Sequence, residues 1–318
     1  MPQHKLHKTY EELYKGKRFW TRKIITGGRH SVIFELIKND LRGKRFLDAF
    51  AGGGRLSFMA STLAFKVDAY DFSENAKKMF DLLSDLNGVS NIEYSVADTA
   101  TFKADKESYD IIAISGTLEN LDDVDSNMKM ISKWLRPRGL LAIDSPNFIN
   151  FRGDVYNTLA KFLGLPMTKT DQRQIDIVYI NALAKKYGFK VERHVGLSYS
   201  LGWMDLALVD LFERAPLAMR DKKFKAKAED LKKFWDWMGV RADVNKEIFA
   251  PLITQNILKP IHKVSLPPLK NLKKIGDKDF REMIQVYYDD DFSRDPYFSE
   301  VYPYNAMGGN GVYLLRKI

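Results

Sequence analysis

The sequence predicts a doubly wound α/β fold with a mostly parallel seven-stranded sheet, an antiparallel terminal strand and an inserted, mainly helical lid. Strand and helix patterns alternate through the first two-thirds of the 318 residues, which is typical of a parallel sheet covered on both faces. A glycine-rich turn follows the first strand directly. The alternation ends near residue 197 and a strand pattern returns only at residues 311–318, so a long segment is inserted before the last strand.

Apolar runs and the residues that end them place the individual elements. Pro137 and Gly188 supply stop signals for two of the helices. Candidate strands lie at residues 45–48, 66–70, 91–96, 109–115, 139–144 and 190–197. Helical patterns lie at residues 57–63, 73–86, 125–135, 153–163 and 174–187.

The same pattern divides the chain into three parts. Residues 41–197 and 311–318 form the predicted core, residues 1–40 a basic helical arm, and residues 198–310 the inserted lid and substrate region. Prolines divide the insertion into short pieces, and its aromatic rings either cover a planar or lipid-like ligand or form a small core of their own. These aromatic residues include Trp203, Trp235, Trp237, Tyr297, Tyr302 and Tyr304.

Composition excludes several classes of protein. The chain has no cysteine, which rules out disulfides, thiolate metal sites and cysteine nucleophiles. No stretch of eighteen uncharged apolar residues occurs, so no membrane-spanning helix is predicted. The basic N-terminus lacks an apolar segment behind it, so no secretory signal is predicted and a cytoplasmic location is expected.

Positive charge is concentrated in two regions. The net charge is +9, and the first 45 residues hold 12 of the Lys and Arg residues against 4 Asp and Glu. A second cluster of lysines lies at residues 222–233. Such clusters suit nucleic acid, an acidic membrane surface or an anionic substrate, and a solvated helix face is the alternative.

The most informative segment is residues 45–57, R-F-L-D-A-F-A-G-G-G-R-L-S, in which an apolar strand runs into a glycine-rich turn. Glycine lets the backbone bend tightly and still lets a ligand approach, and the following helix offers free N–H groups. A second strand delivers Asp71 about twenty residues after the first glycine, where a ribose-binding carboxylate is expected. Together these features predict a nucleotide-cofactor site.

Six segments in order carry a resemblance to a known family: L-D-A-F-A-G-G-G-R-L-S, V-D-A-Y-D-F-S, V-A-D-T, Y-D-I-I-A-I-S-G-T-L-E-N-L, W-L-R-P-R-G-L-L-A-I-D-S-P-N and A-K-K-Y-G-F-K-V. Over about residues 41–197 and the terminal strand, the chain resembles class I, Rossmann-like, S-adenosylmethionine-dependent methyltransferases. A dinucleotide-dependent dehydrogenase is the competing interpretation, because the glycines nearly fit G-x-G-x-x-G with Ser57 in the third position.

The resemblance implies contacts with the methionine and ribose parts of S-adenosyl-L-methionine. Asp48 would lie near the methionine ammonium group, which favours a carboxylate. Ala51, Gly52 and Gly54 would let the backbone approach the methionine moiety and the ribose. Asp71 would accept hydrogen bonds from both ribose hydroxyls. The alternative is that an acidic residue stands here because it neighbours the N-cap of the next helix.

The resemblance also implies contacts with adenine and sulfur. Phe72 would pack on one adenine face, and Asp98, with the backbone of Thr99, would accept from the adenine amino group. Asp98 is alternatively a simple turn residue. Ser115 and Gly116 would end the fourth strand beside the sulfonium.

Methyl transfer from a sulfonium needs alignment more than a strong acid, base or metal, because the leaving group is already activated. No His/Asp/Glu spacing suggests a metal. His194 is a candidate general base, with an ordinary strand histidine as the alternative. Tyr302, Tyr304 and Asn305, just before the terminal strand, are the residues predicted nearest the substrate.

The predicted function is therefore in-line transfer of a methyl group to oxygen, nitrogen or carbon of a small organic acceptor. The alternative is an RNA- or other nucleic-acid-modifying methyltransferase, or a nucleic-acid-binding protein. Phe50 and the basic clusters favour that alternative, because the D-A-F-A-G-G-G wording is similar to that of several nucleic-acid methyltransferases. The fourth-strand segment lacks the Asn/Asp-Pro-Pro-Tyr/Phe tetrad with which amino-methylating enzymes hold a flipped base.

Overall fold

A computed structural model describes residues 7–15, 28–150, 171–199, 251–252, 254–260 and 297–318, together with Gly153, Asn157 and Lys233. The described strands are β1 (Arg45–Ala49), β2 (Lys66–Asp71), β3 (Ile92–Val96), β4 (Tyr109–Ser115), β5 (Leu135–Pro146), β6 (Phe189–Leu197), β7 (Lys259–Pro260), β8 (Tyr297–Ser299) and β9 (Asn310–Lys317). The described helices are α1 (His7–Lys15), α2 (Gly28–Leu41), α3 (Arg55–Ser61), α4 (Glu74–Asn87), α5 (Val124–Trp134) and α6 (Ile177–Tyr187).

The described strands form one mixed sheet in the order β3-β2-β1-β4-β5-β9-β6-β8-β7. Neighbours from β3 to β5 are parallel, and β9 lies antiparallel between β5 and β6. The predicted doubly wound sheet with an antiparallel terminal strand is therefore confirmed. The chain leaves β1 in one direction and returns to β4 on its other side, so the carboxyl ends of β1 and β4 flank a crevice in which α/β proteins bind ligands.

Two features of the sheet differ from the prediction. The short strands β7 and β8 belong to the inserted region, which the sequence predicts to lack strands, and they extend the sheet beyond β6. Strand β5 begins at Leu135, four residues before the predicted start at residue 139. The register of β5 shifts opposite Tyr109 and Ile111, so Pro137 lies at an irregularity, where the sheet tolerates a residue without an N–H donor.

Helices cover both faces of the sheet. Helices α2 and α3 pack with one set of buried strand residues, and α5 and α6 pack with the set on the opposite face. Helix α2 contributes Val32, Ile33, Phe34, Ile37 and Leu41 to this core. The predicted arm of residues 1–40 therefore ends before α2, because a helix with this many buried apolar residues is part of the core.

Capping residues explain where the core helices begin and end. The side chains of Ser73, Asp123 and Asp176 accept from backbone N–H groups in the first turns of α4, α5 and α6. Gly88 and Gly188 end α4 and α6 in the left-handed conformation. The helix predicted at residues 153–163 lies outside the described residues, apart from two isolated positions.

None of the helices in the described part of the chain has the length and apolar character needed to cross a membrane.

Candidate cofactor and acceptor site

Asp71 joins the glycine loop to the start of the next helix. Its Oδ2 accepts from the backbone N–H of Gly52 at 3.0 Å, and its Oδ1 accepts from the N–H of Ser73 at 2.9 Å. The residue is only 4% exposed at the carboxyl end of β2. Burial raises the pKa of Asp71 to about 6, although the two N–H donors oppose the shift. The carboxylate is thus fixed beside the loop with lone pairs remaining for a ligand.

The glycines of the loop are needed for two physical reasons. Gly52 and Gly54 have φ of +53° and +77°, the left-handed region that disfavours side chains. A methyl group at Gly54 would lie 2.6 Å from the Phe80 ring, and one at Gly52 would lie 2.6 Å from the Tyr14 hydroxyl. The loop glycines therefore let protein side chains approach closely, a role that the sequence alone did not predict.

Asp48 lies beside the loop at the end of β1, as predicted. It is 2% exposed, and Ser57 of α3 donates from Oγ to its Oδ2 at 2.6 Å. Burial raises the pKa of Asp48 to about 7, the Ser57 hydrogen bond opposes the shift, and the charges of Asp71 and Asp144 add to it. This carboxyl group therefore titrates near neutral pH until a cation binds beside it.

The predicted adenine-binding residues follow β2 and β3. Oδ1 of Asp98 accepts from the N–H groups of Ala100 and Thr101 at 3.0 and 2.8 Å, so the turn interpretation accounts for that oxygen. Thr99 is buried, and its Oγ1 lies 2.9 Å from the Tyr70 hydroxyl. The adenine contacts of Asp98, Thr99 and Phe72 stay predictions.

Arg29 of α2 lies at the end of β4. In the sequence it is one of several basic residues near the N-terminus, and nothing there marks it as part of the site. A methyl group at Gly116, which has φ +59°, would lie 2.6 to 2.7 Å from the guanidinium atoms of Arg29. Arg29 Nε also lies 3.3 Å from Oδ2 of the fully buried Asp144 at the end of β5. Ser115 and Gly116 are therefore beside a cation. The sequence signal for Asp144 was an acidic residue at the end of the apolar strand predicted at residues 139–144.

A second buried carboxyl group, also missed, lies in the 3-10 turn Leu118–Asn120 after β4. Glu119 is 2% exposed and accepts from Ser145 Oγ at 2.9 Å. Burial, with further contributions from the charges of Asp171 and Asp144, raises the pKa of Glu119 to about 8. Glu119 is accordingly mostly protonated at neutral pH, beside the same strand ends as Arg29.

The predicted substrate residues lie in a loop that is held at the carboxyl end of β5. Asn147 Nδ2 donates to the carbonyls of Ala306 and Gly308 at 2.6 and 2.9 Å. The Tyr199 hydroxyl donates to the Tyr304 carbonyl at 2.7 Å. These bonds bring the segment 304–308 next to the strand that carries Asp144.

The side chains of this loop have different environments. Asn305 is buried, and its Nδ2 donates to the His194 carbonyl at 3.3 Å, whereas Tyr302 is 82% exposed. A methyl group at Gly308 would lie 2.6 Å from backbone atoms of Leu197. Close packing against β6 therefore explains why a glycine occupies position 308.

His194 lies within the sheet on β6. Its ring stacks on Tyr313 of β9 with centroids 4.6 Å apart and planes at 19°. Burial lowers the pKa of His194 to about 4, so the imidazole is neutral but weakly basic at neutral pH. Its role as a general base stays a prediction, and the stacking agrees with the alternative of an ordinary strand histidine.

Comparison with known proteins identifies the class to which this fold and site belong. A family described as a methyltransferase domain matches residues 26–194. This match covers more than half of the chain, and the chain belongs to that family. Methyl transfer is the chemistry that the description of this family names. The resemblance drawn from the six sequence segments is thereby confirmed, and the dehydrogenase alternative is wrong.

The chain is also similar to individual proteins, one by sequence and one by fold. The chain is similar to a ubiquinone biosynthesis O-methyltransferase from Neisseria meningitidis, with 32% identity over 112 residues, which span 34% of this chain and 46% of the relative. The match thus covers less than half the length of that protein.

Among solved structures, the [4+2]-cyclase SpnF has a TM-score of 0.53 and 12% identity, covering 99% of this chain and 95% of SpnF. That likeness concerns the fold alone.

Proposed function

We propose that the enzyme methylates a small organic molecule, which binds between the carboxyl ends of β4 and β5 and the loop around Tyr304. The observation that carries this proposal is the gathering of Asp48, Asp71 and Arg29 around the glycine loop and Gly116. These groups lie where the strand order reverses, the place at which α/β sheets bind ligands.

The charges of the site match those of the cofactor. S-adenosylmethionine carries an ammonium group, a carboxylate and a sulfonium, so its site needs groups of both signs. We assign the ammonium to Asp48 and the ribose hydroxyls to Asp71. We assign the methionine carboxylate to Arg29, which lies beside Gly116 and is held by an ion pair with Asp144. The sulfonium then lies near the end of β4.

Transfer requires the acceptor atom, the methyl carbon and the sulfur in line. The acceptor forms a bond to the methyl carbon as the carbon–sulfur bond breaks, and the sulfur leaves as a neutral thioether. A hydroxyl or ammonium acceptor must also lose a proton. Glu119, whose pKa is about 8, is closer to neutral pH than His194, whose pKa is about 4, and its ionised fraction, which grows as the pH approaches 8, is the form that accepts the proton. We propose Glu119 for this role.

The inserted region is proposed to cover the acceptor. The support within the described residues is the loop 304–308, the last part of the insertion, which is tied to Asn147 at the end of β5. Trp203, Trp235 and Trp237 lie outside the described residues. The same holds for the lysine cluster at 222–233 except Lys233, so the nucleic-acid alternative rests on the sequence alone.

Calorimetry with S-adenosylhomocysteine tests the cofactor site. Asp71→Ala should weaken binding at least tenfold, about 1.4 kcal/mol or more, because both the ribose contact and the loop contacts are lost. Asp81→Ala on the exposed surface of α4 is the matched control and should bind as the unaltered protein does. An unaltered protein that binds no cofactor would contradict the proposal.

A transfer screen tests the acceptor. Methyl groups from labelled S-adenosylmethionine should reach compounds in a small-molecule metabolite extract and should not reach bulk RNA. Incorporation into RNA, with affinity that falls steeply as salt rises, would instead support the nucleic-acid alternative. Cofactor binding without transfer to any acceptor would favour another chemistry on this fold.

A further inference from the structure

Helix α1 lies outside residues 26–194, the segment matched by the methyltransferase family, yet it contacts the cofactor loop. The hydroxyl of Tyr14 lies close enough to Gly52 that a methyl group on Gly52 would be 2.6 Å away from it. Tyr14 also packs against a cluster of buried side chains that includes Phe58 and Phe80. An aromatic side chain from the start of the chain is therefore held directly at the glycine loop.

Two further contacts fix the position of α1. The ring of Tyr10 meets the ring of Phe72 edge to face, with centroids 5.8 Å apart. Asn75, in the first turn of α4, donates to the carbonyl of Glu11 at 3.3 Å and also to its carboxylate. Phe72 and Asn75 follow Asp71 closely in the chain, so α1 is docked over the same strand end that carries the ribose-binding candidate.

Electrostatic effects agree with this geometry. Burial, followed by the charge of Asp71, raises the pKa of the Tyr14 phenol well above its usual value. Burial lowers the pKa of Arg29, but the charges of Asp144 and Glu119, followed by those of Tyr10 and Tyr14, raise it overall. Tyr14 is therefore near both Asp71 and Arg29, the groups assigned above to the ribose and to the methionine carboxylate. Because its pKa is raised, the Tyr14 phenol stays protonated at neutral pH and can donate a hydrogen bond.

We propose that helix α1 is a cofactor-binding element, in which Tyr14 and Tyr10 form the outer wall of the pocket for the adenosine part of S-adenosylmethionine. The Tyr14 hydroxyl hydrogen-bonds the bound cofactor above Gly52, and Tyr10 supports Phe72 against the adenine. This inference rests on the proposed use of Asp71 and the glycine loop for the cofactor. It assigns part of the site to residues that precede the family domain.

The test compares two substitutions on one helix. Tyr14→Phe removes only the hydroxyl and keeps the ring packed on Phe58 and Phe80, so it should weaken S-adenosylhomocysteine binding about three- to tenfold. Lys15→Ala, at an exposed position of the same helix, should leave binding within twofold. The thermal unfolding temperatures of the two free variants should be alike. A purely structural role of Tyr14 would instead lower stability and leave the affinity unchanged.

A second measurement follows the helix itself. S-adenosylhomocysteine should slow amide hydrogen exchange across residues 7–15 in the unaltered protein, because the ligand holds α1 in place. Binding that is equal in Tyr14→Phe and Lys15→Ala, with no added protection of α1, would overturn the inference and leave the cofactor site intact. Tighter binding by Tyr14→Ala would also overturn it, since Tyr14 would then occupy the cofactor's place. Failure of the unaltered protein to bind would overturn the cofactor assignment as well.

Discussion

The two halves of the site are built by contacts of very different length along the chain. On the cofactor side, Asp71 reaches Gly52 across 19 residues and Asp48 meets Ser57 across 9. On the acceptor side, Asn147 reaches Gly308 across 161 residues and Tyr199 reaches Tyr304 across 105. The carboxylates and the glycine loop of the cofactor half are therefore assembled within successive strand–turn–helix units, to which α2 adds Arg29. The acceptor half depends instead on the return of the chain after the insertion.

This difference implies separable functions. Damage to the loop should abolish cofactor binding and lower stability together, because the loop glycines pack directly against core helices. Damage to the long-range contacts should reduce methyl transfer while the cofactor still binds. The predictions below test this separation.

The largest effect is expected at Gly54. Gly54→Ala forces a side chain into φ +77° and brings its methyl group within 2.6 Å of Phe80. Strain and overpacking together should lower the free energy of unfolding by roughly 2–5 kcal/mol and abolish cofactor binding. Denaturant unfolding and calorimetry measure the two effects. Gly43→Ala is the control, since Gly43 has φ +68° with no atom within 4 Å of the new methyl group. An equal loss in both variants would mean that the packing against Phe80 is unimportant.

The positions of Asp48, the glycine loop and Asp71 at the strand ends could be predicted from the sequence because their signals are local, and their contacts with a cofactor stay predictions. The strand before Asp48, the glycines and the acidic residue at 71 stand in a short segment whose order reflects their spatial arrangement. Arg29 and Glu119 gave no such signal, because their contacts with Gly116 and Ser145 depend on how α2 and β5 pack. Strands β7 and β8 were missed because a strand of two or three residues carries almost no periodicity.

The second prediction concerns stability against pH at Glu119. Its pKa rises from 4.5 in the unfolded chain to about 8 in the folded protein, so the folded state binds the proton more tightly. The stability that this proton gives is present below about pH 4.5 and is lost as the pH rises toward 8, with a slope of at most about 1.4 kcal/mol per pH unit. Glu119→Gln should be more stable than the unaltered protein at pH 8 and flatter between pH 5 and 8 in urea unfolding. A parallel dependence in the two proteins would contradict the buried, protonated Glu119.

The third prediction breaks the acceptor half alone. Asn147→Ala removes the side-chain amide that donates to the carbonyls of Ala306 and Gly308. The Gly308 carbonyl keeps a bond from Asn150, whereas the Ala306 carbonyl loses its side-chain donor, and a buried acceptor without a partner costs about 1–3 kcal/mol. Methyl transfer should fall strongly while the Kd for S-adenosylhomocysteine stays within twofold. Asn127→Ala, at an exposed position in α5, should change neither quantity. A similar loss of cofactor affinity in Asn147→Ala would mean that the two halves are not separable.

The fourth prediction concerns cofactor affinity against pH. Burial raises the pKa of Asp48 to about 7, and the methionine ammonium favours its ionised form. Affinity for S-adenosylhomocysteine should therefore weaken as the pH falls through about 7, at most tenfold per pH unit. Asp48→Asn should bind more weakly at pH 8 and lose the dependence around pH 7, leaving the weaker dependence expected from Asp71, whose pKa is about 6. Calorimetry in two buffers of different ionisation enthalpy would detect the proton released on binding.

The smallest effect is expected at Tyr304. Its carbonyl holds the loop through Tyr199, and this backbone contact survives substitution of the side chain, so Tyr304→Ala tests the ring alone. Methyl transfer to the true acceptor should fall severalfold, while cofactor affinity stays within about twofold and stability changes by about 1 kcal/mol at most. Tyr302→Ala provides a comparison at a ring that is 82% exposed, where a smaller effect on transfer is expected. If Tyr304→Ala reduced cofactor affinity and transfer equally, the loop 304–308 would belong to the cofactor half, and the proposed separation of the two halves would be wrong.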